Sequence, residues 1–514
     1  MAERDTDALR ALVDALARRF EAAGEPTERF ETHISIVLLA GDFAYKFKKP
    51  VDFGFLDFST LARRAHFCAL ELALNRRHAP ALYVDVLPVT EGPSLNSPGK
   101  AIEYALRMRR FATAERLDQV MQRGALASGD LAAIAAALAD AHANAAPAPP
   151  SSVFGTPTLV RRQMLDGLSV VTDALPDGGE LLEALEALCL GNVAAVEDRL
   201  QSGHVRDCHG DLHLSNIVRF EGRWLPFDCI EFSDELRYID TASDLAFLLM
   251  DLDVRGHDAA ANRLLNEYLT VSGDFGALSV LKLYCVYRSV VRAKVARLQQ
   301  GATPEAASEA AQKARAHVAL ARRYLARAGS PALYITHGVS GSGKSWLASR
   351  VTSARGFVHI RSDYERRRLA GLALDAASHS GIDSGLYATA STDATYQRLA
   401  QVASTILRAG CSAVVDASFL RARHRAALEA VARECGAHFG IFDCEAPAEV
   451  LRERIVARRH AGRDPSEATL EVLDYQLRTR DMLTARERGH ALQATALDDA
   501  SLAALPGCGR IPGA

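Results

Sequence analysis

His209-Gly-Asp-Leu-His-Leu-Ser-Asn216, followed by Trp224-Leu-Pro-Phe-Asp228, sets an aspartate, an asparagine five residues on and a second aspartate behind a short apolar run. Moving a phosphoryl group off a magnesium-bound nucleotide calls for those three: an acid to receive the acceptor's proton and two oxygen ligands for the metal. Asp211 then reads as the base, and Asn216 and Asp228 as the metal ligands. A loop whose aspartate and asparagine merely cap turns gives no reason for Asp228. Working back along the chain, such a site needs a strand lysine for the α- and β-phosphates and a glutamate on the next helix. Lys46, in Phe43-Ala-Tyr-Lys46, and Glu71, in Leu70-Glu71-Leu72, fit by type and order. Strand alternation puts Lys48 on the same face as Lys46, which leaves Lys48 as the competing candidate. No G-x-G-x-x-G precedes the lysine. Only the tight turn Ala40-Gly41-Asp42 stands where phosphate cover is expected.

The surrounding texture supplies a frame for these residues. From Thr32 to Pro88, β-rich segments flank that turn and lead into a helical stretch ending near His78. Leu117 to Val295 is mainly helical, with short strands expected around Asn216 to Phe227. Pro304 to Ala328 has a helical pattern without internal glycine or proline, and it stops at Gly329-Ser330-Pro331. These breaks predict a first domain over 1–303, with a β-rich lobe over about 1–115 and a helical lobe over about 116–303, then a helical linker over 304–330 and a last domain over 331–514.

In that last domain an apolar strand, Ala332 to Thr336, runs into Gly338-Val-Ser-Gly341-Ser342-Gly343-Lys344-Ser345 and then into a helical pattern. This is G-x-x-x-x-G-K-[ST] in its proper context: the loop amides face phosphates, Lys344 supplies a charge to them, and the Ser345 hydroxyl serves Mg2+. Further strands at Ser412 to Val415 and Phe439 to Phe442 alternate with helices, as in a parallel α/β sheet. Asp416 ends Ala413-Val-Val-Asp416, where an acid completes the metal's shell. Asp363, at the end of His359-Ile-Arg-Ser-Asp363, lies on the substrate side of such a sheet and is placed to take an acceptor's proton; helix capping is the alternative. Arg454 and Arg458, four residues apart, share a helix face and form a candidate clamp on the transferring phosphoryl group.

The first constellation resembles the catalytic loop of aminoglycoside and choline-type phosphotransferases. That likeness implies that Asp244, in Asp244-Leu-Ala, braces the loop rather than reacting. From Leu333 onward the chain resembles the small P-loop kinases of the gluconate kinase, polynucleotide kinase and zeta-toxin group. The likeness rests on the phosphate loop, VVDASF at Val414 to Phe419, the arginine-rich lid and Asp464-Pro-Ser-Glu-Ala. Together they resemble bacterial fusions described as bifunctional aminoglycoside phosphotransferase/ATP-binding proteins. The resemblance implies a bilobal α+β kinase-like domain followed by an α/β P-loop domain with a parallel sheet.

Composition is compatible with this and excludes other classes. The chain has 514 residues, 49% of them hydrophobic and 24% charged, which is the range of folded globular domains. A net charge of −3 and the absence of a basic, aromatic stripe argue against a nucleic-acid partner. Nine scattered cysteines without a Cys-x-x-Cys pair fit buried thiols in a reducing, cytoplasmic setting. Apolar runs such as Ile36 to Ala40 and Leu245 to Met250 fall well short of the ~18 residues a membrane span needs. The expected activity is ATP- and Mg2+-dependent phosphoryl transfer at two sites to hydroxyls of small molecules. The alternatives are a nucleotide-sensing or toxin-like regulator, in which one ATP-binding domain controls the other, and a kinase for nucleic-acid 5′-hydroxyls. Oligomeric state has no signature in the sequence.

Overall fold

The computed structural model describes residues 2–54, 56–172, 178–298, 303–326, 329–374, 389–461 and 469–509. Compactness cuts the chain differently from the sequence boundaries at 303 and 330: one unit comprises Met1–Thr156 with Leu200–Asp251, the other Pro157–Arg199 with Leu252–Ala514.

The first unit is built on an antiparallel sheet of β1 (Thr27–Glu31), β2 (Ser35–Ala40), β3 (Phe43–Lys48), β4 (Tyr83–Thr90), β5 (Ser94–Leu95) and β6 (Ala101–Arg109), in the order β1-β2-β3-β6-β4-β5. β2 and β3 close on the two residues Gly41 and Asp42, because Ala40 pairs with Phe43. One sheet face is covered by the N-terminal helix Ala2–Ala22, whose Leu9, Val13 and Leu16 recur at helical spacing and bury against Ile36, Leu38, Tyr45 and Phe47. On the other side, Ala44, Tyr83, Leu106 and Met108 share a core with Val218 and Leu225. Those two belong to the hairpin β8 (Ile217–Phe220) and β9 (Arg223–Pro226), the strands expected between Asn216 and Phe227. β7 (Val205–Asp207) pairs antiparallel with β10 (Tyr238–Asp240), and the chain between them carries the catalytic-loop motif.

In the second unit, β11 (Ala332–His337), β12 (Val358–Arg361), β13 (Ala413–Asp416), β14 (His438–Asp443) and β15 (Ala491–Gln493) form a wholly parallel sheet in the order β12-β13-β11-β14-β15. Strands added after β11 go first to one side and then to the other. The switch of direction therefore opens at the carboxyl end of β11, where ligands of such sheets bind. All-buried strands such as β11 and β13 match helices on both faces. The helix Asp258–Ser272 lies along β12, with Asn266 Nδ2 donating to the Phe357 carbonyl at 3.1 Å and its Oδ1 accepting from the His359 N–H at 2.7 Å. The expected helix after the first domain spans Pro304–Leu325; Thr303 caps it, and Ala310, Ala314, His317, Val318, Ala321 and Tyr324 line its buried face. That face, with Tyr324 donating to Asp253 at 2.5 Å, ties the helix to its unit.

All nine cysteines are free thiols, eight of them buried. Among the described residues no helix is long and apolar enough to cross a membrane.

Candidate active sites

β3 carries Lys46 and Lys48 two residues apart, so both ammonium groups leave the same face and meet Glu71 of the helix Leu61–Asn75. Lys46 Nζ lies 2.7 Å from Glu71 Oε1 and 2.5 Å from Asp228 Oδ1. Lys48 Nζ lies 2.6 Å from Glu71 Oε2 and also binds the Glu231 carboxylate. Lys48 is sealed, its side chain 2% exposed, whereas that of Lys46 is 13% exposed and meets a half-exposed Asp228. Of the two, Lys46 is thus the lysine a bound phosphate can reach. Burial disfavours charge throughout this cluster, and the opposite charges overcome it: Asp228, Glu71 and Glu231 hold the Lys46 ammonium well above its ordinary range. Burial likewise works against the Glu71 carboxylate, yet Lys46 and Lys48 bring it down to about 2.

The loop opposite is held from behind. His209 Nε2 sits 2.9 Å from the Phe227 carbonyl, and its Nδ1 lies 3.3 Å from the Asp211 N–H. A neutral ring that donates at Nε2 and accepts at Nδ1 satisfies both contacts, and burial lowers its pKa accordingly. Gly210 has φ +84°, and a Cβ there would stand 2.7 Å from the Leu236 carbonyl oxygen, so only glycine fits. Asp244 accepts from the backbone N–H groups of His209 (3.0 Å) and Gly210 (2.9 Å), which is the bracing role the resemblance implies. Asp251, two turns further along the helix Thr241–Val254 that carries Asp244, accepts from the Leu214 N–H at 3.0 Å. The sequence reading missed it, although its spacing of seven from Asp244 was a usable signal.

Between these supports, Asn216 Nδ2 reaches the Asp211 carbonyl at 3.0 Å and the Asp211 carboxylate at 3.3 Å. His213 Nε2 lies 3.5 Å from the same carboxylate. Asp228 has φ +63°, a conformation that costs a non-glycine residue about 1–3 kcal/mol and that the surroundings must impose. They do: its N–H donates to the Tyr83 hydroxyl oxygen at 3.0 Å, and the next N–H, of Cys229, donates to Asn75 Oδ1 at 2.9 Å. Asp211, Asn216, Asp228, Lys46 and Glu71 are therefore assembled in one unit as the sequence reading grouped them. Glu231 is the buried partner of Lys48.

In the second unit the phosphate loop connects β11 to the helix Lys344–Arg355. Gly338 has φ +146°, and a Cβ on it would lie 2.4 Å from the Cys444 carbonyl oxygen. Backbone thus closes in on the loop's base while Gly341, Ser342 and Gly343 carry it round to the helix. Lys344 Nζ donates to the Val339 carbonyl at 2.8 Å, folded over its own loop. Arg454, from the helix Ala448–Ala461, donates to the Gly341 carbonyl at 3.2 Å, so it borders the loop. The Arg458 side chain and Asp464 to Ala468 lie outside the described residues. Gln476, which the sequence reading did not single out, accepts from the Ser340 N–H at 2.8 Å.

Asp416 ends β13 beside the loop. Burial would raise its pKa, but His359, the Ser345 hydroxyl and Arg361 hold it below the ordinary range. Its neighbour Asp363 is the second residue of the helix Ser362–Leu369, immediately after β12. Burial and the Asp416 charge push Asp363 up, against the pull of Arg366, Arg361 and Arg367. At the ends of the neighbouring strands β12 and β13, two carboxyls are thus displaced in opposite directions.

The two domains define the chain as an ATP-dependent kinase: a phosphotransferase of the bilobal class followed by a P-loop domain. Residues 58–282 match the phosphotransferase enzyme family, and residues 333–483 match an AAA domain family. The chain belongs to the family of two-domain proteins that includes the uncharacterized protein Rv2004c of Mycobacterium tuberculosis (strain H37Rv), to which it is 34% identical over 450 residues, 86% of this chain and 88% of that one. The uncharacterized protein Mb2027c of Mycobacterium bovis shows the same identity and coverage, 34% over 86% and 88%. Solved structures that resemble parts of it include a choline/ethanolamine kinase family protein from Mesorhizobium loti (17% identity, 58% of this chain and 92% of that one, TM-score 0.34). A sugar kinase from Janibacter sp. HTCC2649 (22% identity, 34% and 90%, TM-score 0.26) and a gluconokinase from Sinorhizobium meliloti 1021 (20% identity, 34% and 87%, TM-score 0.24) are two more.

Proposed function

We propose that this kinase carries two separate ATP·Mg2+ sites, each passing the γ-phosphoryl group to a hydroxyl of a small molecule. The observation that carries the reading is that each compact unit holds its own full set: Lys46, Glu71, Asp211, Asn216 and Asp228 in one, the phosphate loop with Lys344, Ser345, Asp363 and Asp416 in the other.

Both sets suit magnesium, a hard ion that takes oxygen donors. The Asp228 carboxylate and the Asn216 amide oxygen would hold it in the first unit. The Ser345 hydroxyl and Asp416, already within hydrogen-bonding reach of each other, would do so in the second. When bound, the ion neutralises charge on the β- and γ-phosphate oxygens. In the first unit Glu71 fixes Lys46, which exchanges Asp228 for the phosphates when nucleotide arrives. Asp211 receives the acceptor's hydroxyl proton as the acceptor oxygen bonds to the γ-phosphorus and the bond to the β–γ bridging oxygen breaks. In the second unit Asp363 takes that proton, and its raised pKa suits a base that must accept it near neutrality. Arg454 offers its charge to the moving group. The free thiols agree with a cytoplasmic setting, and a net charge of −3 favours small acceptors over nucleic acid.

Incubating the full chain with ATP and a metabolite extract, then searching by mass spectrometry for species heavier by one phosphoryl group, tests this. Asp211→Asn and Lys344→Ala are each expected to abolish a different subset of products. Folded variants that both retain every product would remove the proposal.

A further inference from the structure

Trp346 occupies an unusual place. The helix that follows the phosphate loop has Gly343 as its N-cap, and its first internal bond runs from the Leu347 N–H to the Gly343 carbonyl at 3.1 Å. The amides of Lys344, Ser345 and Trp346 therefore lie in the turn whose N–H groups have no carbonyl within the helix and serve a bound phosphate. A side chain leaving the third of these residues tilts back toward the helix N-terminus. It leaves the helix on the face away from the core formed by Leu347, Ala348 and Val351. The residue is 64% exposed, in contrast to Trp224, the chain's other tryptophan, at 6%.

Exposure alone says little, since single apolar residues are common on surfaces. The ring, however, is held. Arg350, one helical turn on, sets its guanidinium carbon 4.8 Å from the indole centroid. Arg350 is itself anchored: Nη1 donates to the Leu497 carbonyl at 3.4 Å and Nη2 pairs with Asp499. Leu497 packs on the sheet core and lies in the segment that leaves the carboxyl end of β15. An aromatic plane fixed at the phosphate end of the helix, beside the strand ends where ligands sit, is a stacking surface for whatever extends from the phosphates.

We infer that Trp346, backed by Arg350, is the platform on which the base of the nucleotide stacks in the second unit. The inference rests on the reading of the phosphate loop as a nucleotide site. Stacking uses a π-face that every base has, so the platform gives affinity without reading base edges.

Calorimetric titration of the full chain separates the two claims. A Lys46→Met parent keeps nucleotide off the first unit, and ATP and inorganic tripolyphosphate are the two ligands. Adding Trp346→Ala is expected to weaken ATP about tenfold and to leave tripolyphosphate, which has no base, unchanged. Trp346→Phe should keep most of the ATP affinity, and the indole fluorescence that ATP quenches in the parent should be the part lost in that variant. Undiminished ATP affinity in Trp346→Ala, with Lys344→Ala weakening both ligands, overturns the platform and leaves the phosphate site standing. Equal loss of both ligands in Trp346→Ala also overturns it, by assigning the residue to the helix itself. A Lys344→Ala variant that binds both ligands as the parent does overturns the nucleotide reading and the platform with it.

Discussion

Asp363 and Asp416 differ in what surrounds them more than in where they sit, and that difference can be read out as a pH profile. Asp363 is raised by burial and by the Asp416 charge, while His359 and Ser345 keep Asp416 charged. A base must be deprotonated to work, so raising its pKa moves the acidic limb of the rate upward. Product formation at the second site is expected to climb with pH beyond the usual carboxylate range and then level off. Asp363→Asn should lower the plateau by about 10²–10⁴-fold and erase that limb. A limb that survives the substitution belongs to another group and rejects Asp363 as the base. At this scale the sequence was informative wherever chemistry depends on short spacing, as in Asp211, Asn216 and Lys344. It put Lys46 and Lys48 on one face without deciding between them, because which of two same-face lysines is sealed depends on a carboxylate 183 residues away.

At the scale of elements, the catalytic loop is shaped less by its own residues than by one helix behind it. Asp244 takes two backbone N–H groups and Asp251 takes one, all of them buried. Each buried donor left without an acceptor costs about 1–3 kcal/mol. Asp244→Ala should therefore destabilise the loop by about 3 kcal/mol, and Asp251→Ala by roughly half as much. Peptide-resolved hydrogen exchange over 205–217 checks the ranking, with faster exchange at 209–210 in the first variant and at 214 in the second. The reverse order would mean that the loop is held from elsewhere. Helices and buried strands declared themselves through periodicity, but β15 did not, since three residues, Ala491 to Gln493, carry no pattern long enough to read. Asp228 needed the Tyr83 hydroxyl and Asn75 to impose its backbone conformation, and neither partner is near it in sequence.

For the whole molecule, motif order along the chain and compactness in space give different divisions. The family matches follow the chain, at 58–282 and 333–483, whereas packing assigns Pro157–Arg199 and everything from Leu252 onward to one unit. Sequence breaks such as Gly329-Ser330-Pro331 mark where the chain can turn. They do not say which helices share a core, since apolar stripes such as that of Pro304–Leu325 fit many partners. What the division preserves is that neither set of phosphate-handling residues is split. Each site should then bind nucleotide on its own account. In a calorimetric titration, Lys344→Ala is expected to remove one ATP-binding event and to leave the affinity of the other as it was. Asp211→Asn in that background should stop the remaining turnover while ATP still binds, because the base meets the acceptor and Lys46 meets the phosphates. Allosteric coupling between sites usually shifts affinity about 5- to 150-fold, well within what calorimetry resolves. A shift of that size at the first site in Lys344→Ala would mean that one nucleotide site governs the other, and the regulatory reading would replace that of two independent kinases.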